Sequence, residues 1–286
     1  MKVGFIGAGK VGFSLGKYFV LRGIPVTGYY SRHVETAKQA AEFTDSICYE
    51  EMELLVKDSD VLFLTVPDEA IKATYEHIKN YDISGKQICH CSGALSSQEA
   101  FPGIVEKGAL GYSIHPLFPV SDKLTSYREL PGAFFCLEGV EGQTIEDFWV
   151  NFFQKNAAGV KVIDGAFKTK YHAACAIASN LYCALMQESL ELLGECGFEE
   201  QEALKALTPL AESNLKHILQ DGPVKALTGP VERGDAGTVQ KHLEEITDKR
   251  NRRQYLAVTG KLLEVAKKKN PDRDYTELKS LLNAVE

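Results

Sequence analysis

Along the first 160 or so residues, short runs of β-branched and aromatic residues alternate with stretches whose apolar positions recur every three or four residues, the spacing of parallel βαβ units. The runs predict strands at Val3 to Ile6, Pro25 to Tyr30, Val61 to Val66, Gln87 to Cys91, Leu110 to Ile114, Ala133 to Leu137 and Val160 to Ile163. Between them the periodicity predicts helices at Val11 to Leu21, Val34 to Phe43, Asp68 to Asn80 and Ile145 to Gln154. Val61 to Val66 is apolar almost throughout, as a central strand covered on both faces must be. The pattern implies an α/β domain built on a doubly wound parallel sheet.

From about Phe167 the period changes, and β-branched runs all but vanish. Helices are expected over Phe167 to Cys196, Glu199 to Gln220, Thr238 to Lys269 with a break, and Tyr275 to Val285. The hand-over falls near Gly159 to Gly165, which divides the chain into an α/β domain, 1–164, and an all-α domain, 165–286. Neither an internal repeat nor a low-complexity segment interrupts it.

Composition narrows the function. With 286 residues, 44% hydrophobic and 25% charged, the chain is ordinary globular protein with material for two cores. A net charge of −7 argues against nucleic acid as a partner, since phosphate contacts need a concentrated basic face; Lys249 to Arg253 and Lys267 to Lys269 read as solvated helix surface. No stretch has the roughly 18–20 apolar residues of a membrane span. The N-terminal residues run straight into a strand without the layout of a signal peptide, and seven dispersed cysteines read as reduced thiols. A cytoplasmic protein without disulfides is expected.

Gly7, Gly9 and Gly12 form a G-x-G-x-x-G pattern directly after the first strand and at the start of the first helix. In that context Gly7 serves the tight turn, Gly9 the close approach of a pyrophosphate and Gly12 the helix–strand packing, with the diphosphate resting on free N–H groups at the helix start. Ala8, Lys10 and Val11 complete this dinucleotide loop. The second strand ends in Tyr30, Ser31, Arg32, His33, with no carboxylate before Glu35 to accept a ribose 2′-hydroxyl. A hydroxyl, a guanidinium and an imidazole suit a 2′-phosphate instead, which favours NADP over NAD. Val66 and Pro67, at the carboxyl end of the Val61 to Val66 strand, are expected walls of the cofactor site, and Asp68 an ordinary helix cap.

Cys89, His90 and Cys91 put two thiols on one side of a strand and the imidazole on the other, so no metal site is expected. Ser92 and Gly93, just past that strand, and His115, before Pro116 at the end of the next, are candidate substrate contacts. On the helix from Phe167, Lys168, His172, Cys175, Ser179 and Cys183 fall on one stripe with Asn180 beside it. Polar groups there point to a site in which Lys168 or His172 supplies a proton while hydride reaches a carbonyl or imine carbon, and Ser179 and Asn180 orient the substrate.

With those residues in view, the chain resembles the 6-phosphogluconate-dehydrogenase-like reductases, among them β-hydroxyacid dehydrogenases, pyrroline-5-carboxylate reductase and ketopantoate reductase. More narrowly it resembles Rossmann-like proteins with a C-terminal DUF2520 domain, described as NADP-dependent oxidoreductases. The matching stretches are His90-Cys91-Ser92-Gly93-Ala94, His115-Pro116, Tyr171-His172-Ala173-Ala174 to Ala178-Ser179-Asn180, and Ala226-Leu227-Thr228-Gly229-Pro230 to Arg233-Gly234-Asp235. The resemblance implies a Rossmann domain followed by a 6-phosphogluconate-dehydrogenase-C-terminal-like helical domain. The β-hydroxyacid dehydrogenases carry a catalytic lysine four residues before an asparagine; Lys168 aligns with that lysine, but position 172 is His. By similarity to pyrroline-5-carboxylate reductase, Thr228, Arg233 and Asp235 approach substrate across a homodimer interface, with Arg233 holding a carboxylate.

The expectation is an NADPH-dependent oxidoreductase acting on the C=O or C=N group of a small anionic metabolite. The competing expectation is an NADP-binding redox sensor that does not turn over. A deazaflavin in place of nicotinamide as hydride partner is a third.

Overall fold

The computed structural model describes residues 1–284, and its contacts divide the chain into two units, Met1–Ser179 and Asn180–Glu286. In the first unit the strands β1 (Val3–Ile6), β2 (Val26–Tyr30), β3 (Ile47–Cys48), β4 (Val61–Leu64), β5 (Gln87–His90), β6 (Leu110–Leu117), β7 (Phe134–Gly139) and β8 (Gly159–Val162) make one sheet in the order β3-β2-β1-β4-β5-β6-β7-β8. Every neighbouring pair is parallel except β6 with β7. The order reverses direction between β1 and β4, so the connections from those two strands leave in opposite senses and open a crevice at their carboxyl ends.

The period-two alternation of the strands sends side chains to two faces, and each face has its own core. Phe5, Phe63, Cys89 and Tyr112 pack under α1 (Lys10–Val20), α2 (Val34–Thr44) and α6 (Asp147–Asn156), where Phe19, Trp149 and Phe153 fill the space. Ile6, Leu62, Leu64 and Ile88 pack under α3 (Met52–Asp58), α4 (Asp68–Ile78) and α5 (Ser97–Ala100). A doubly wound sheet is what the pattern implied. The pattern missed β3, α3 and α5 because two, seven and four residues are too short to show a period.

The long helix expected from Phe167 to Cys196 is a correction. A 3₁₀ turn at Gly165–Phe167 leads into α7 (Lys168–Ala178), and a separate helix α8 (Asn180–Glu195) follows. Ser179 between them has φ −125° and ψ −75°, outside the helical region. Serine and asparagine side by side are weak helix-interior residues, since their side chains compete for backbone groups. By its contacts α7 belongs with the sheet unit, although the periodicity groups it with the helical residues after 165. The second unit continues with α9 (Glu200–Asp221), the short α10 (Pro223–Ala226) and α11 (Pro230–Arg233), α12 (Ala236–Glu245), α13 (Lys249–Lys269) and α14 (Thr276–Ala284). Its core gathers Val231, Val239, Leu243, Leu263, Leu278 and Leu282. Of the last expected helix, Val285 lies outside the described residues.

Candidate active site

The glycine loop between β1 and α1 is shaped by contacts that exclude side chains. Gly7 has φ +106°, and a Cβ there would lie 2.6 Å from the Thr65 carbonyl oxygen. At Gly12 a Cβ would lie 2.6 Å from the Gly7 carbonyl and 2.7 Å from Thr65 Oγ1, a hydroxyl that itself donates to Gly7 O at 2.7 Å. Gly9, the residue before α1, differs: a Cβ there would find only Thr65 O, at 4.0 Å. Two glycines are therefore required by the protein's own packing, and the third keeps clear a space that no protein atom uses. A free space at a helix N-terminus, edged by backbone N–H groups, is the arrangement that suits an anionic group.

The loop opens on a cleft of about 650 Å³ walled by Tyr30, Ser31, Arg32, His33 and Thr36 on one side and Thr65, Val66, Pro67, Ala70 and His77 on another. Its lining contains no Asp or Glu. Arg32 and His33 are exposed at the rim, and the Ser31 hydroxyl accepts from the His33 N–H at 3.2 Å and from Thr36 Oγ1 at 3.2 Å, so the turn after β2 is tied down beside the guanidinium. The residues present fit an adenine dinucleotide carrying a 2′-phosphate.

Beyond β4 the sheet turns polar. His90, Ser113 and Glu138 stand level on β5, β6 and β7 and share a face with Leu64 of β4. All three are fully buried, as is Lys168, the first residue of α7. Lys168 Nζ donates to Ser113 Oγ and lies 4.0 Å from Glu138. The carboxylate also receives the Ser97 N–H at 2.9 Å and the Ser97 hydroxyl at 3.1 Å. Burial pulls the Lys168 ammonium below its usual range, opposed by Glu138. Burial, with Lys168 and His115 nearby, drops His90 to about 3, so that ring is neutral; its Nδ1 accepts from the Ser92 N–H and its Nε2 has no partner among the described residues.

One turn further, His115 Nδ1 and the Tyr171 hydroxyl of α7 are 2.7 Å apart, and the His115 and His172 rings meet edge to face at 6.3 Å. Gly93 makes this convergence possible: a Cβ on it would lie 2.5 Å from His172 Cδ2 and 2.9 Å from His115 Nε2. Desolvation, then Lys168 and His172, lower His115 to about 3.

Several expected residues thus come together in the first unit: Gly93, His115 and His172 converge, and Lys168 lies buried at the start of the same helix as His172. The Ser92 hydroxyl is fully occupied, however. It donates to Asp68 Oδ2 at 2.5 Å and accepts from Ala94 N and Leu95 N, which uses its one proton and both lone pairs. Ser92 therefore shapes the loop, and the Gly93 backbone is what remains for a substrate. Asp68 is likewise not the cap of α4, since Pro67 holds that position without a side-chain bond. Because the helix breaks at Ser179, the stripe does not continue: Ser179, Asn180 and Cys183 are exposed. In the second unit Arg233 is exposed on α11, and Asp235 caps α12 by accepting from Thr238 N at 2.9 Å and Thr238 Oγ1 at 2.7 Å.

Pattern reasoning passed over Ser113, Glu138 and Tyr171 as site residues. A signal existed for Glu138: a carboxylate inside the run Phe134-Phe135-Cys136-Leu137-Glu138 must find a buried partner. Among the described residues no group of three or more His, Cys, Asp or Glu is placed to hold a metal ion, and no helix is long and apolar enough to cross a membrane.

Residues 2–92 match the family described as NADP oxidoreductase, coenzyme F420-dependent, and residues 133–262 match DUF2520, a domain of unknown function. No curated protein matches the sequence. Among solved structures the chain is similar to a protein from Thermotoga maritima, with 28% identity, a TM-score of 0.74, and 93% of this chain and 98% of that one covered. A protein of Bacteroides fragilis assigned as an NADP oxidoreductase shares 18% identity at a TM-score of 0.64, over 92% and 98% of the two chains. A reductive aminase from Aspergillus terreus, solved with NADPH and ethyl-5-oxohexanoate, shares 15% identity at a TM-score of 0.64, over 100% and 99%. The last two likenesses are of fold alone.

Proposed function

Because the chain joins an N-terminal domain of the NADP oxidoreductase family to a C-terminal DUF2520 domain, we propose that it is an NADPH-dependent reductase of the C=O or C=N bond of a small anionic metabolite. The observation that carries this reading is a cleft without carboxylates, rimmed by Arg32 and His33, on the same sheet edge as a buried polar cluster. Gly7, Ala8, Gly9, Lys10, Val11 and Gly12 hold the diphosphate, Ser31, Arg32 and His33 the 2′-phosphate, and Val66 and Pro67 wall the cleft. When bound, NADPH supplies the hydride. The Gly93 backbone and His115 orient the acceptor, His172 stands at the open side where a proton is delivered, and Lys168 is the buried cation behind them. Ser179, Asn180 and Arg233, all exposed, take substrate-orienting and carboxylate-anchoring roles in this proposal.

A homodimer is part of the same reading. In the second unit Leu181, Tyr182 and Leu185 of α8 and Leu210, Leu215 and Leu219 of α9 expose large apolar surface, which a symmetric partner would cover. A cytoplasmic location completes it.

Calorimetry with NADPH and NADH tests the cofactor, and NADPH oxidation over a panel of keto acids and cyclic imines tests the chemistry, with coenzyme F420 as an additional hydride partner because the N-terminal family is described by it. Tighter binding of NADPH and turnover of one panel member are expected. Tighter NADH binding overturns the cofactor assignment, and NADPH binding without turnover across the panel favours a sensor.

A further inference from the structure

Two imidazoles face the space above Gly93, and they are held differently. His115 has its Nδ1 2.7 Å from the Tyr171 hydroxyl, whereas the His172 ring meets His115 only through an edge-to-face contact. Of the two groups in the His115–Tyr171 bond, the phenol O–H is the better donor and an unprotonated imidazole nitrogen the better acceptor. With the phenol as donor the bond runs from Tyr171 Oη to Nδ1, and the single ring proton of a neutral His115 then sits on Nε2. Nε2 is the atom that comes within 2.9 Å of a Cβ placed on Gly93, and among the described residues it makes no hydrogen bond of its own.

Resting on the reductase reading above, we propose that His115 is a catalytic residue. Its Nε2–H hydrogen-bonds the substrate heteroatom and stabilises the negative charge that develops there as hydride reaches the adjacent carbon. Tyr171 is the positioning residue that fixes the tautomer. No bond to the protein forms or breaks in this role.

The groups around His115 agree with it. From α7 come Tyr171, His172 and Lys168, whose Nζ is 5.8 Å from the Tyr171 ring centre. From β7 comes Cys136, directly opposite His115 in the sheet, and Cys175 lies one helical turn beyond Tyr171. Glu138, the carboxylate on β7, is engaged by Lys168 and Ser97. Burial, then Lys168 and His172, lower His115 to about 3, so the ring is neutral above that pH. Burial also pushes the Tyr171 hydroxyl and the Cys136 thiol up, so both keep their protons, and Tyr171 remains a donor. Neutral imidazole used as a hydrogen-bond donor to a developing oxyanion is established chemistry.

The test uses the full chain labelled with ¹⁵N-histidine, in which long-range ¹H–¹⁵N spectra report the tautomer of each ring, with His115→Gln and Tyr171→Phe as the variants. His115 is expected as the Nε2–H tautomer, with shifts unchanged from pH 8 to pH 5, and Tyr171→Phe is expected to mix the two tautomers while the melting midpoint stays near the parent's. In turnover, His115→Gln should lower kcat roughly 10²–10³-fold at parental NADPH affinity, as loss of an oxyanion donor does. A proton on Nδ1 in the parent protein, or titration of His115 between pH 5 and 8, overturns this proposal while leaving an active reductase standing. Failure of the whole panel to turn over removes the reductase reading and the role of His115 with it.

Discussion

Replacing Gly9 by alanine separates the space kept for a ligand from the space the fold itself needs. Gly9 sits at φ −83° and ψ −173°, extended backbone open to any residue, and its Cβ would meet no protein atom closer than 4.0 Å. Alanine lowers the entropy of the unfolded chain, worth about 0.4–1 kcal/mol, and weakens the N-cap of α1 by a similar amount, so the net change should stay within about 0.5 kcal/mol. If the proposed cofactor binds there, the added methyl instead occupies the space of its pyrophosphate. An overpacking cost of about 1–3 kcal/mol falls entirely on the complex, which at about 1.4 kcal/mol per decade predicts a roughly 5- to 140-fold weaker Kd for NADPH. Gly12→Ala is the counterpart: its Cβ meets the Gly7 carbonyl at 2.6 Å and a pinned Thr65 hydroxyl at 2.7 Å. The same cost then falls on the folded protein and should lower the melting midpoint by roughly 2–12 °C. Calorimetric Kd and thermal melts of both variants decide it. Parental NADPH affinity in Gly9→Ala, or a midpoint drop as large as that of Gly12→Ala, refutes that placement of the pyrophosphate.

Two further outcomes follow from the buried polar row. Lys168→Met leaves Glu138 buried without its cation and should cost roughly 3–5 kcal/mol, while the double change Lys168→Met with Glu138→Gln should recover most of that; denaturant titrations of the parent, both single variants and the double variant check it, and additive losses would disprove the pairing. His90 and His115, both lowered to about 3, bind fewer protons folded than unfolded between pH 3 and 6.5. Stability should therefore fall as pH drops below about 6.5, by about 1.4 kcal/mol per pH unit for each ring, and His90→Asn should reduce the slope of denaturation midpoint against pH; a flat midpoint from pH 7 to 5 contradicts the burial argument.

How much of this was legible along the chain depended on the range of the interaction involved. The glycine loop, the Ser31-Arg32-His33 turn and the alternation of strands and helices are local patterns, and each stands where the pattern placed it. β3, α3 and α5 were too short to carry a period. The expectation of one helix through Ser179 failed because periodicity counts residues and does not register a local departure from helical φ and ψ. Ser92 reads as a free hydroxyl until Asp68, 24 residues away, is found beside it.

Sequence by itself determined the kind of sheet, the glycine-rich loop at its first turn and the absence of an acidic residue at the end of the second strand, because all three depend on neighbours within a few residues. Tertiary structure decided the site chemistry. Lys168 is a buried partner of Ser113 and Glu138, and His115 is tied to Tyr171, across separations of 55, 30 and 56 residues. Such pairs are set by strand order and by where α7 packs. They govern charge through desolvation and hydrogen-bond partners, which no linear pattern encodes.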